Sequence, residues 1–494
     1  MRSKLIGACI LGLALLVPTA CGGSQVSPKE ALAANQRVLG QATGAGTGTT
    51  QASSDGTATD PGTTGGTGTT VDAPSAGSTG AATGGTSGAS GGSAGSSGGS
   101  SGGGGHNSVP AATGVKAGSC TGFKNTTGIT DNTITIGNAS DISGPVPGLF
   151  TAVQQATAAY VQYFNSTSNI CGRKLSLIKF DTRTDAGADQ QAYAKLCDQA
   201  FAAVGSMSAF DSGGAATAQG CSIPDIRTAA VTATRNACTT CFGTQATGAY
   251  EMSNAPADFF VKNYHDASQA AAFLYLNAGA AAENGKTQQK VEEMRGMKFL
   301  YSAGIDVAEF NYGPYVQAMK SKGVKWVQFL GGEPQAVRLA QAMQSAGFKP
   351  DVYLLDPTGY DPNYVKSAGS AAEGTIVFIN FAPFTDNIPE LNLYKKWLQQ
   401  VAPGSVPTFF GEFAWSAAKL FVEQAVALGG QLTRASLVQK VSQVNNWTGG
   451  GMHGPMMVGQ KHAPSCVRFL QLKGGQWTPL GGTSYMCNGY TKAQ

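Results

Sequence analysis

The chain has 494 residues, a formal net charge of +4 and 13% charged residues, about half the share of an ordinary soluble domain. No dense run of lysine or arginine follows Arg2 and Lys4, so the sequence lacks the basic stripe that nucleic-acid binding requires. Most of the excess among the 68 glycines lies before residue 119. A large N-terminal part of the chain therefore has a composition unlike that of a folded domain.

The first residues have the features of an export signal. Arg2 and Lys4 are followed by an apolar stretch at 5–17, which is short for a membrane span. We predict a signal peptide over 1–20. The alternative is an apolar anchor that is never cleaved.

A cysteine follows this predicted signal directly. Residues 18–22 (PTACG) resemble a bacterial lipobox, although Pro18 stands where leucine is usual. The resemblance implies cleavage before Cys21 and diacylation of its thiol. Two acyl chains hold a protein firmly to a membrane without spanning it, so we predict a lipid-anchored protein on the outer face of the cytoplasmic membrane.

The segment 21–118 is predicted to be a flexible linker. From residue 42 onward it consists of Gly, Ser, Thr and Ala with almost no large apolar side chain, so it cannot offset its ordering entropy by burial. A coil of this kind has an end-to-end distance of roughly 5–6 Å times the square root of its length. It fits a spacer that crosses a cell wall, and it equally fits drift in a glycine-rich proteome.

Eight cysteines remain after Cys9 of the signal and Cys21 are set aside, and an even number in an exported chain predicts disulfides. The sequence does not determine their connectivity. Pairing of nearest neighbours gives Cys120–Cys171, Cys197–Cys221, Cys238–Cys241 and Cys466–Cys487. The Cys238-Thr-Thr-Cys241 spacing also fits a redox or a zinc motif, but it lies in a loop and no second ligand pair is near, which favours a disulfide.

From residue 129 onward, short alternating strands and amphipathic helices follow one another. This alternation of strands and helices predicts an α/β fold with mostly parallel sheets. The length of the region predicts two doubly wound lobes. The predicted strands are 133–137, 174–180, 226–231, 298–301, 325–329, 352–355 and 375–379. The predicted helices are 150–164, 188–203, 312–322, 334–346 and 362–368.

Several passages between 129 and 480 occur in an order shared with one family. They are ITDNTITIG at 129–137, SGP at 143–145, CGRKL at 171–175, FD at 180–181, AVGS at 203–206, AG at 346–347, AEG at 372–374 and LTRASL at 432–437. In this order they resemble the bilobal solute-binding proteins of the branched-chain amino-acid ABC transport type, which have the type I periplasmic-binding fold. The resemblance implies two lobes that are joined by three crossovers and close on a ligand.

The same resemblance sets approximate boundaries within a folded region at 119–494. Lobe one takes about 129–253 and 382–455, and lobe two takes about 254–381 and 456–494. Ligands of such sheets bind outside the carboxyl ends of the strands, so the loops after the strands are the candidate site. In the first of these loops, Ser143 and Gly144 match the family's first binding loop.

The resemblance is weaker at the positions that hold an amino acid. In amino-acid binders of this family, a serine after the third strand and a threonine after the fourth strand hold the ligand, and a glutamate of lobe two neutralises its ammonium group. Here Phe210 stands in the place of the serine with Ser208 nearby, Thr232 matches the threonine, and Thr358 stands in the place of the glutamate.

An ammonium group without a countercharge would be poorly compensated on desolvation. Either Asp211 or Asp356 supplies that charge, or the solute is not a zwitterionic amino acid, and we favour the second. Both aspartates equally fit helix N-caps. An aromatic cleft suits a less polar or cyclic solute, and its candidates, which equally fit ordinary core, are Phe210, Phe329, Tyr360 and Phe410.

The sequence has no nucleophile elbow in its folded part and no phosphate-binding loop, and its four histidines form no close pair, so we predict no catalytic residue, metal or cofactor. The predicted function is capture of a small solute for the permease subunits of an ABC-type importer. Two alternatives are a sensor or scavenger of the same fold, and an envelope protein whose cleft is filled by Phe210 and its neighbours.

Overall fold

The computed structural model describes residues 115–246 and 249–493. The predicted signal peptide, the lipid on Cys21 and the linker up to residue 114 lie outside the described residues. The chain enters the folded part next to the predicted end of the linker, because the amide of Gly118 donates to the carbonyl of Val426 at 3.0 Å.

The first sheet, which with its flanking helices we call lobe one, has five parallel strands in the order β2-β1-β3-β4-β5. The strands at 202–204 and 225–230 are buried along their whole length, as a sheet covered on both faces requires, whereas the edge strand at 174–181 is partly exposed. The strands are β1 Thr133–Ser140, β2 Lys174–Asp181, β3 Ala202–Val204, β4 Asp225–Ala230 and β5 Cys241–Ala246.

The second sheet, which we call lobe two, has the order β13-β12-β11-β10-β9-β7-β8. Strands β7 to β11 are parallel, and β12, β13 and the short β14 pair antiparallel. The strands are β7 Ala271–Leu276, β8 Phe299–Ile305, β9 Trp326–Leu330, β10 Val352–Leu355, β11 Ile376–Ile379, β12 Cys466–Lys473, β13 Gln476–Leu480 and β14 Met486–Cys487.

Helices connect the strands and cover the sheets. Lobe one carries α1 Thr151–Thr167, α2 Ala186–Gln199, α3 Ala215–Gly220, α4 Ala233–Ala237, α11 Pro389–Val401, α12 Phe409–Leu428 and α13 Arg434–Val441. Lobe two carries α5 Ala255–Asn263, α6 His265–Ser268, α7 Gly279–Met294, α8 Gly313–Ser321, α9 Glu333–Ser345 and α10 Pro362–Ala368. Helix α12 packs on α1 and β4, and it is buried on almost every face, which explains its nearly continuous apolar sequence.

Three passages of the chain connect the lobes. The first contains β6 Glu251–Ser253, which pairs with the C-terminal strand β15 Tyr490–Lys492. The second and third run side by side, since Phe381 bridges His453 and the amide of Ala382 donates to the carbonyl of Met452 at 2.7 Å. The predicted α/β fold with mostly parallel sheets is thereby confirmed.

Two local predictions are corrected by the structure. The helix predicted over 188–203 ends at Gln199, and Ala202–Val204 form the central strand β3, because alanine-rich sequence has no period that separates helix from buried strand. No predicted strand covers β7, although it lies between β8 and β9 in lobe two, and none covers β5, β12 or β13. The sequence of β7, AAFLYL, stands in an alanine-rich stretch that resembles a helix.

Four disulfides lie within the described residues, and they join the same pairs as nearest-neighbour pairing: Cys120–Cys171, Cys197–Cys221, Cys238–Cys241 and Cys466–Cys487. The Cys238–Cys241 bridge closes the loop between α4 and β5. Among the residues that the structure describes, no helix is both long and apolar enough to cross a membrane.

Candidate functional site

The loops at the carboxyl ends of the strands of both lobes meet along one flank. The amide of Ala280, at the start of α7 in lobe two, donates to the carbonyl of Ala209 in lobe one at 2.9 Å. The amide of Ala233 donates to the Glu283 carboxylate of lobe two at 3.0 Å. Gly279 makes this approach possible, because a Cβ there would lie 2.5 Å from the Ala209 carbonyl oxygen and its φ is +49°. The candidate site thus lies between two sheet edges.

The first loop of lobe one is held by Asp181, the last residue of β2. The amide of Ser143 donates to Asp181 at 3.1 Å, and its hydroxyl donates to the same carboxylate at 2.5 Å. Partial burial acts to raise the pKa of Asp181, but hydrogen bonds from Ser143 and neighbouring amides outweigh it and leave the pKa below its usual value. Gly144 packs on the backbone of Arg183, where a Cβ would lie 2.2 Å from the carbonyl oxygen. Ser143 and Gly144 therefore shape this loop.

The loop after β3 is organised around a fully buried carboxylate at Asp141, which the sequence analysis does not single out. Ser208 donates its hydroxyl to Asp141 at 3.1 Å, and the amide of Ala209 donates to the second oxygen at 2.8 Å. The amide of Phe210 in turn donates to the Ser208 hydroxyl at 3.2 Å. The ring of Phe210 stays half-buried beside Gly279 of lobe two. Phe210 therefore lies where the lobes meet.

Asp211 is fully buried and both of its oxygens are occupied. One accepts from the amide and the hydroxyl of Thr232, at 3.2 and 2.6 Å, and the other accepts from the amide of Val231 at 2.9 Å and faces Arg227 at 3.5 Å. Thr232 also caps α4 by accepting from the amide of Arg235 at 3.2 Å. Asp211 thus joins the loops after β3 and β4 and has no free oxygen for a solute cation.

A network of buried charges lies beneath these loops. Arg235 contacts Asp189 at 2.7 Å and Asp225 at 3.1 Å, and Arg227 contacts Asp225 at 3.1 Å. Burial raises the pKa of Asp189 to about 6, although the two arginines act in the opposite direction. The Arg235 guanidinium also covers the Tyr193 ring at 4.3 Å. The network fixes the lobe-one loops from below, because moving any member would leave a buried charge without compensation.

Two of the four predicted aromatic residues belong to one chain of rings that crosses between the lobes. Phe410, at the start of α12, meets Phe150 at 5.0 Å and Phe409 at 4.7 Å between ring centroids. Phe409 meets Phe381 of the second crossover at 5.3 Å. Phe381 in turn meets Tyr360 of lobe two at 5.7 Å. We call these five residues the ring chain; four of them are buried in this structure, and Phe410 is partly exposed.

The remaining predicted residues of lobe two make their contacts within that lobe. Phe329 is 1% exposed within the core strand β9. The Thr358 hydroxyl lies 2.9 Å from the Gly331 carbonyl and also contacts the Asp356 carboxyl. Burial raises the pKa of Asp356 to about 7, against the hydrogen bonds from Thr358. The Thr358 hydroxyl and the Asp356 carboxyl therefore form a hydrogen bond with each other.

Glu412 is the prominent site residue that sequence reasoning missed. It lies in the first turn of α12, three residues after Phe409, and it is fully buried. Within the described residues, neither of its carboxylate oxygens has a hydrogen-bond partner. The sequence does carry a signal for it, since an acidic residue in an otherwise apolar stretch is seldom buried without a purpose.

The histidines of the connecting passages have structural partners. His453 is buried between the Ser416 hydroxyl, 2.8 Å from Nε2, and its neighbour's carbonyl on Nδ1, and burial lowers its pKa to about 4. Among the residues that the structure describes, no carboxylate contacts His453. The hydrogen bond between His453 and Ser416 joins α12 to the third crossover. His462 contacts Glu251 of the first crossover at 2.9 Å and stacks on Tyr490.

No group of three or more histidine, cysteine or acidic residues is placed to hold a metal ion within 115–246 and 249–493. The geometry described so far consists of two sheet edges, three connecting passages and a partly aromatic wall between them. These are features of a protein that encloses a small molecule.

Comparison with known proteins agrees with this geometry. The sequence profile of the family described as "Periplasmic binding protein" matches residues 133–476. The chain belongs to this family. Periplasmic binding proteins are binding proteins, and membership implies a location outside the cytoplasm. No curated protein matches the sequence significantly.

This chain is also similar to solved structures, and each match covers nearly the whole length of the solved chain. A leucine-binding protein of Thermotoga maritima is 14% identical with a TM-score of 0.61, and the match covers 70% of this chain and 98% of that one. A fatty acid ABC transporter substrate-binding protein of Thermomonospora curvata is 17% identical with a TM-score of 0.61, covering 74% and 95%.

A solute-binding protein of R. palustris in complex with 4-hydroxybenzoate is 15% identical with a TM-score of 0.60, covering 72% and 98%. At such identities the likeness shows the fold alone. It confirms the type I periplasmic-binding fold that the sequence passages imply.

Proposed function

We propose that this periplasmic binding protein is the substrate-binding component of an ABC-type importer, which captures a small solute between its lobes and delivers it to permease subunits. The observation that carries the proposal is the meeting of the two sheet edges, with loops of both lobes in contact at Ala209 and Ala280. Solutes bind at such edges in open α/β sheets. Membership of the periplasmic binding protein family also supports a solute-binding function.

The proposed site lies between the loop of Ser143 and Gly144, the loop of Ser208 and Phe210, and the ring chain. Thr232 and Asp211 shape its lobe-one side, and Asp356 and Thr358 shape its lobe-two side. Solved proteins of this fold are described with solutes as different as leucine, a fatty acid and 4-hydroxybenzoate. The ring chain favours a less polar or cyclic solute over a zwitterionic amino acid.

The proposal is tested by a thermal-shift screen of the full chain, purified in detergent, against amino acids, amides, nucleobases, sugars and aromatic acids. We expect at least one solute to raise Tm with a concentration dependence that reports saturable binding. Native mass spectrometry of the untreated protein should detect the same class of solute. No shift with any compound and no retained solute would instead favour the non-binding envelope protein.

Phe410→Ala gives a sharper version of this test. Removing the ring should weaken solute binding by about tenfold or more, since a buried aromatic contributes at least 1.4 kcal/mol to an apolar contact. Phe310→Ala is the matched control, because Phe310 is a 49% exposed phenylalanine of lobe two outside the ring chain. Equal affinities of the two variants would move the site away from the ring chain.

We propose further that Cys21 carries a lipid, which keeps the solute-binding protein at the membrane beside its permease. Intact-mass measurement of the membrane-bound protein should show a chain that begins at residue 21 and carries acyl groups. Cys21→Ser should release the protein from the membrane fraction. A Cys21→Ser protein that stays in the membrane would favour the uncleaved apolar anchor.

A further inference from the structure

Glu412 differs from every other buried carboxylate in the described part of the chain. Each of the others has at least one oxygen in a hydrogen bond or an ion pair, and Glu412 alone has two unpartnered oxygens. Its backbone amide is satisfied by the carbonyl of Thr408 at 2.9 Å, so the residue is firmly placed in α12. A buried carboxylate in this state lacks the compensation that folded proteins normally supply.

Titratable groups of both lobes lie around this carboxyl. Burial raises the pKa of Glu412 well above its usual value, the charge of Arg468 opposes that rise, and the charge of Asp386 adds to it. Glu412 in turn acts to raise the pKa of Tyr360 and Tyr485 of lobe two and that of Tyr394 on α11 of lobe one. Its place in the first turn of α12, directly after Phe409 and Phe410, sets it beside the ring chain.

Two donors of the C-terminal segment are also without partners. Nε of Arg468 and the hydroxyl of Tyr485 are buried and unpartnered within the described residues. The other nitrogens of Arg468 are occupied by the Thr483 carbonyl at 3.1 Å and the Asp386 carboxylate at 2.9 Å. The Arg468 guanidinium lies 5.0 Å from the centroid of the Tyr485 ring. Unpartnered donors therefore lie in the C-terminal segment of lobe two, and an unpartnered acceptor lies at the start of α12 in lobe one.

The ring chain lies next to these polar atoms. Phe409 and Phe410 precede Glu412 in the same helical turn, and Tyr360 belongs both to the ring chain and to the groups on which Glu412 acts. An apolar wall that ends at an unmet acceptor matches a solute with a cyclic body and a polar end. A solute without a hydrogen-bond donor would leave the carboxyl unsatisfied.

We propose that Glu412 forms the polar end of the solute site and accepts a hydrogen bond from a hydroxyl or amino group of a cyclic solute, whose ring packs on the ring chain. This inference rests on the proposed function and names its solute class. Arg468 Nε and the Tyr485 hydroxyl complete the polar end by donating to the same group of the solute. The carboxyl is sealed from solvent while the lobes touch, so the solute enters when they separate.

The test compares benzyl alcohol and benzylamine with benzyl methyl ether, which has the same ring and no donor, by isothermal titration of the full chain. Wild type should bind at least one donor-bearing probe about tenfold more tightly than the ether. Glu412→Leu should abolish this preference, and Glu412→Gln should keep it for the alcohol, because the amide oxygen still accepts. If only benzylamine is preferred and Glu412→Gln loses that preference, the bound group is a cation.

Glu423→Gln is the matched control, because Glu423 is a buried glutamate of the same helix that is already paired with Lys419 at 3.2 Å. It should keep the wild-type preference. A preference that survives in Glu412→Leu, or that is absent in wild type although the ring binds, overturns the inference. Should Glu412→Leu fail to fold, Glu412→Gln with the benzylamine probe decides.

Two further outcomes separate this inference from the proposed function. If a solute from the broad screen binds but no cyclic probe does, the solute class is wrong and the import function stands. If nothing binds wild type at all, the proposed function itself fails. Glu412 variants that change Tm but leave all probe affinities unchanged would mean an internal water site only, and they overturn the inference.

Discussion

Two regions on either side of the candidate site differ in how their buried charges are balanced. Beneath the lobe-one loops, Asp211, Arg227 and Arg235 belong to a network in which each charge meets an opposite charge. At the start of α12, Glu412 meets none within the described residues. A balanced network resists rearrangement, whereas an unbalanced group gains most from a partner that arrives from outside. The ion-pair network of lobe one therefore supports the fold, and the start of α12 is the better candidate for solute recognition.

The largest effect should come from breaking the balanced region. Arg235→Met removes the ion-pair partner of Asp189 and one of the two partners of Asp225, which should cost about 3–5 kcal/mol of folding free energy. Thermal unfolding of the full chain should then show a clear loss of Tm or no folded protein. Arg338→Met is the control, since Arg338 covers the exposed Phe310 and belongs to no ion pair within the described residues, and it should lose no more than about 1 kcal/mol. Equal losses of folding free energy in the two variants would contradict a stabilising role for the buried ion pairs of Arg235.

A smaller effect is expected at the edge of the same network. Thr232→Val removes the hydroxyl that donates to Asp211 and caps α4, which should cost about 1–2 kcal/mol. Thr232→Ser keeps the hydroxyl and should stay within about 0.5 kcal/mol of wild type. Denaturant unfolding of the two variants measures the difference. A serine variant as unstable as the valine variant would show that the methyl group, and not the hydroxyl, supports the loop.

An effect of the opposite sign is expected at Glu412 in the unbalanced region, and it depends on pH. The pKa of Glu412 is raised in the folded chain above its ordinary value of 4.5, so the folded chain holds a proton that the unfolded chain releases. Wild type therefore loses stability as pH rises above about 4.5 toward the folded pKa. Glu412→Gln removes this loss, and its Tm should exceed that of wild type by a margin that grows with pH over this window.

The paired glutamate of the same helix supplies the contrast. Burial raises the pKa of Glu423 and the charge of Lys419 opposes that rise, so Glu423→Gln should change Tm with pH in the same direction as Glu412→Gln but by less. Measuring both variants from pH 4 to 8 keeps the helix constant and changes only the balance of the carboxyl. A Glu412→Gln variant whose gain in Tm with pH is no larger than that of Glu423→Gln would mean that Glu412 has a partner within the protein.

The fold was largely predictable because its signals are local. Alternating strands such as 133–137 and 174–180, each followed by an amphipathic helix, specify parallel α/β units wherever they occur. The failures at β3 and β7 share one cause. Both strands are rich in alanine and buried on both faces, so neither shows a period of 2, and tertiary contacts decide their conformation.

The candidate site was less predictable, because it depends on which side chains the fold leaves unpaired. Thr232 was correctly placed after the fourth strand, but nothing in its sequence shows that one oxygen of Asp211 accepts from both its amide and its hydroxyl. Phe329 and Phe410 are alike in sequence, yet one lies in a core strand and the other at the ring chain. The unpartnered state of Glu412 is a property of three-dimensional packing.

The account is tested most directly by a crystal structure of the protein with the solute that the screen identifies. It predicts the solute between the lobes, with its ring against Tyr360 and Phe410 and a hydroxyl or amino group about 2.7–3.2 Å from a Glu412 oxygen. A solute bound outside the lobe interface, for example in the cavity beside Phe310 and Arg338 on lobe two, would contradict it.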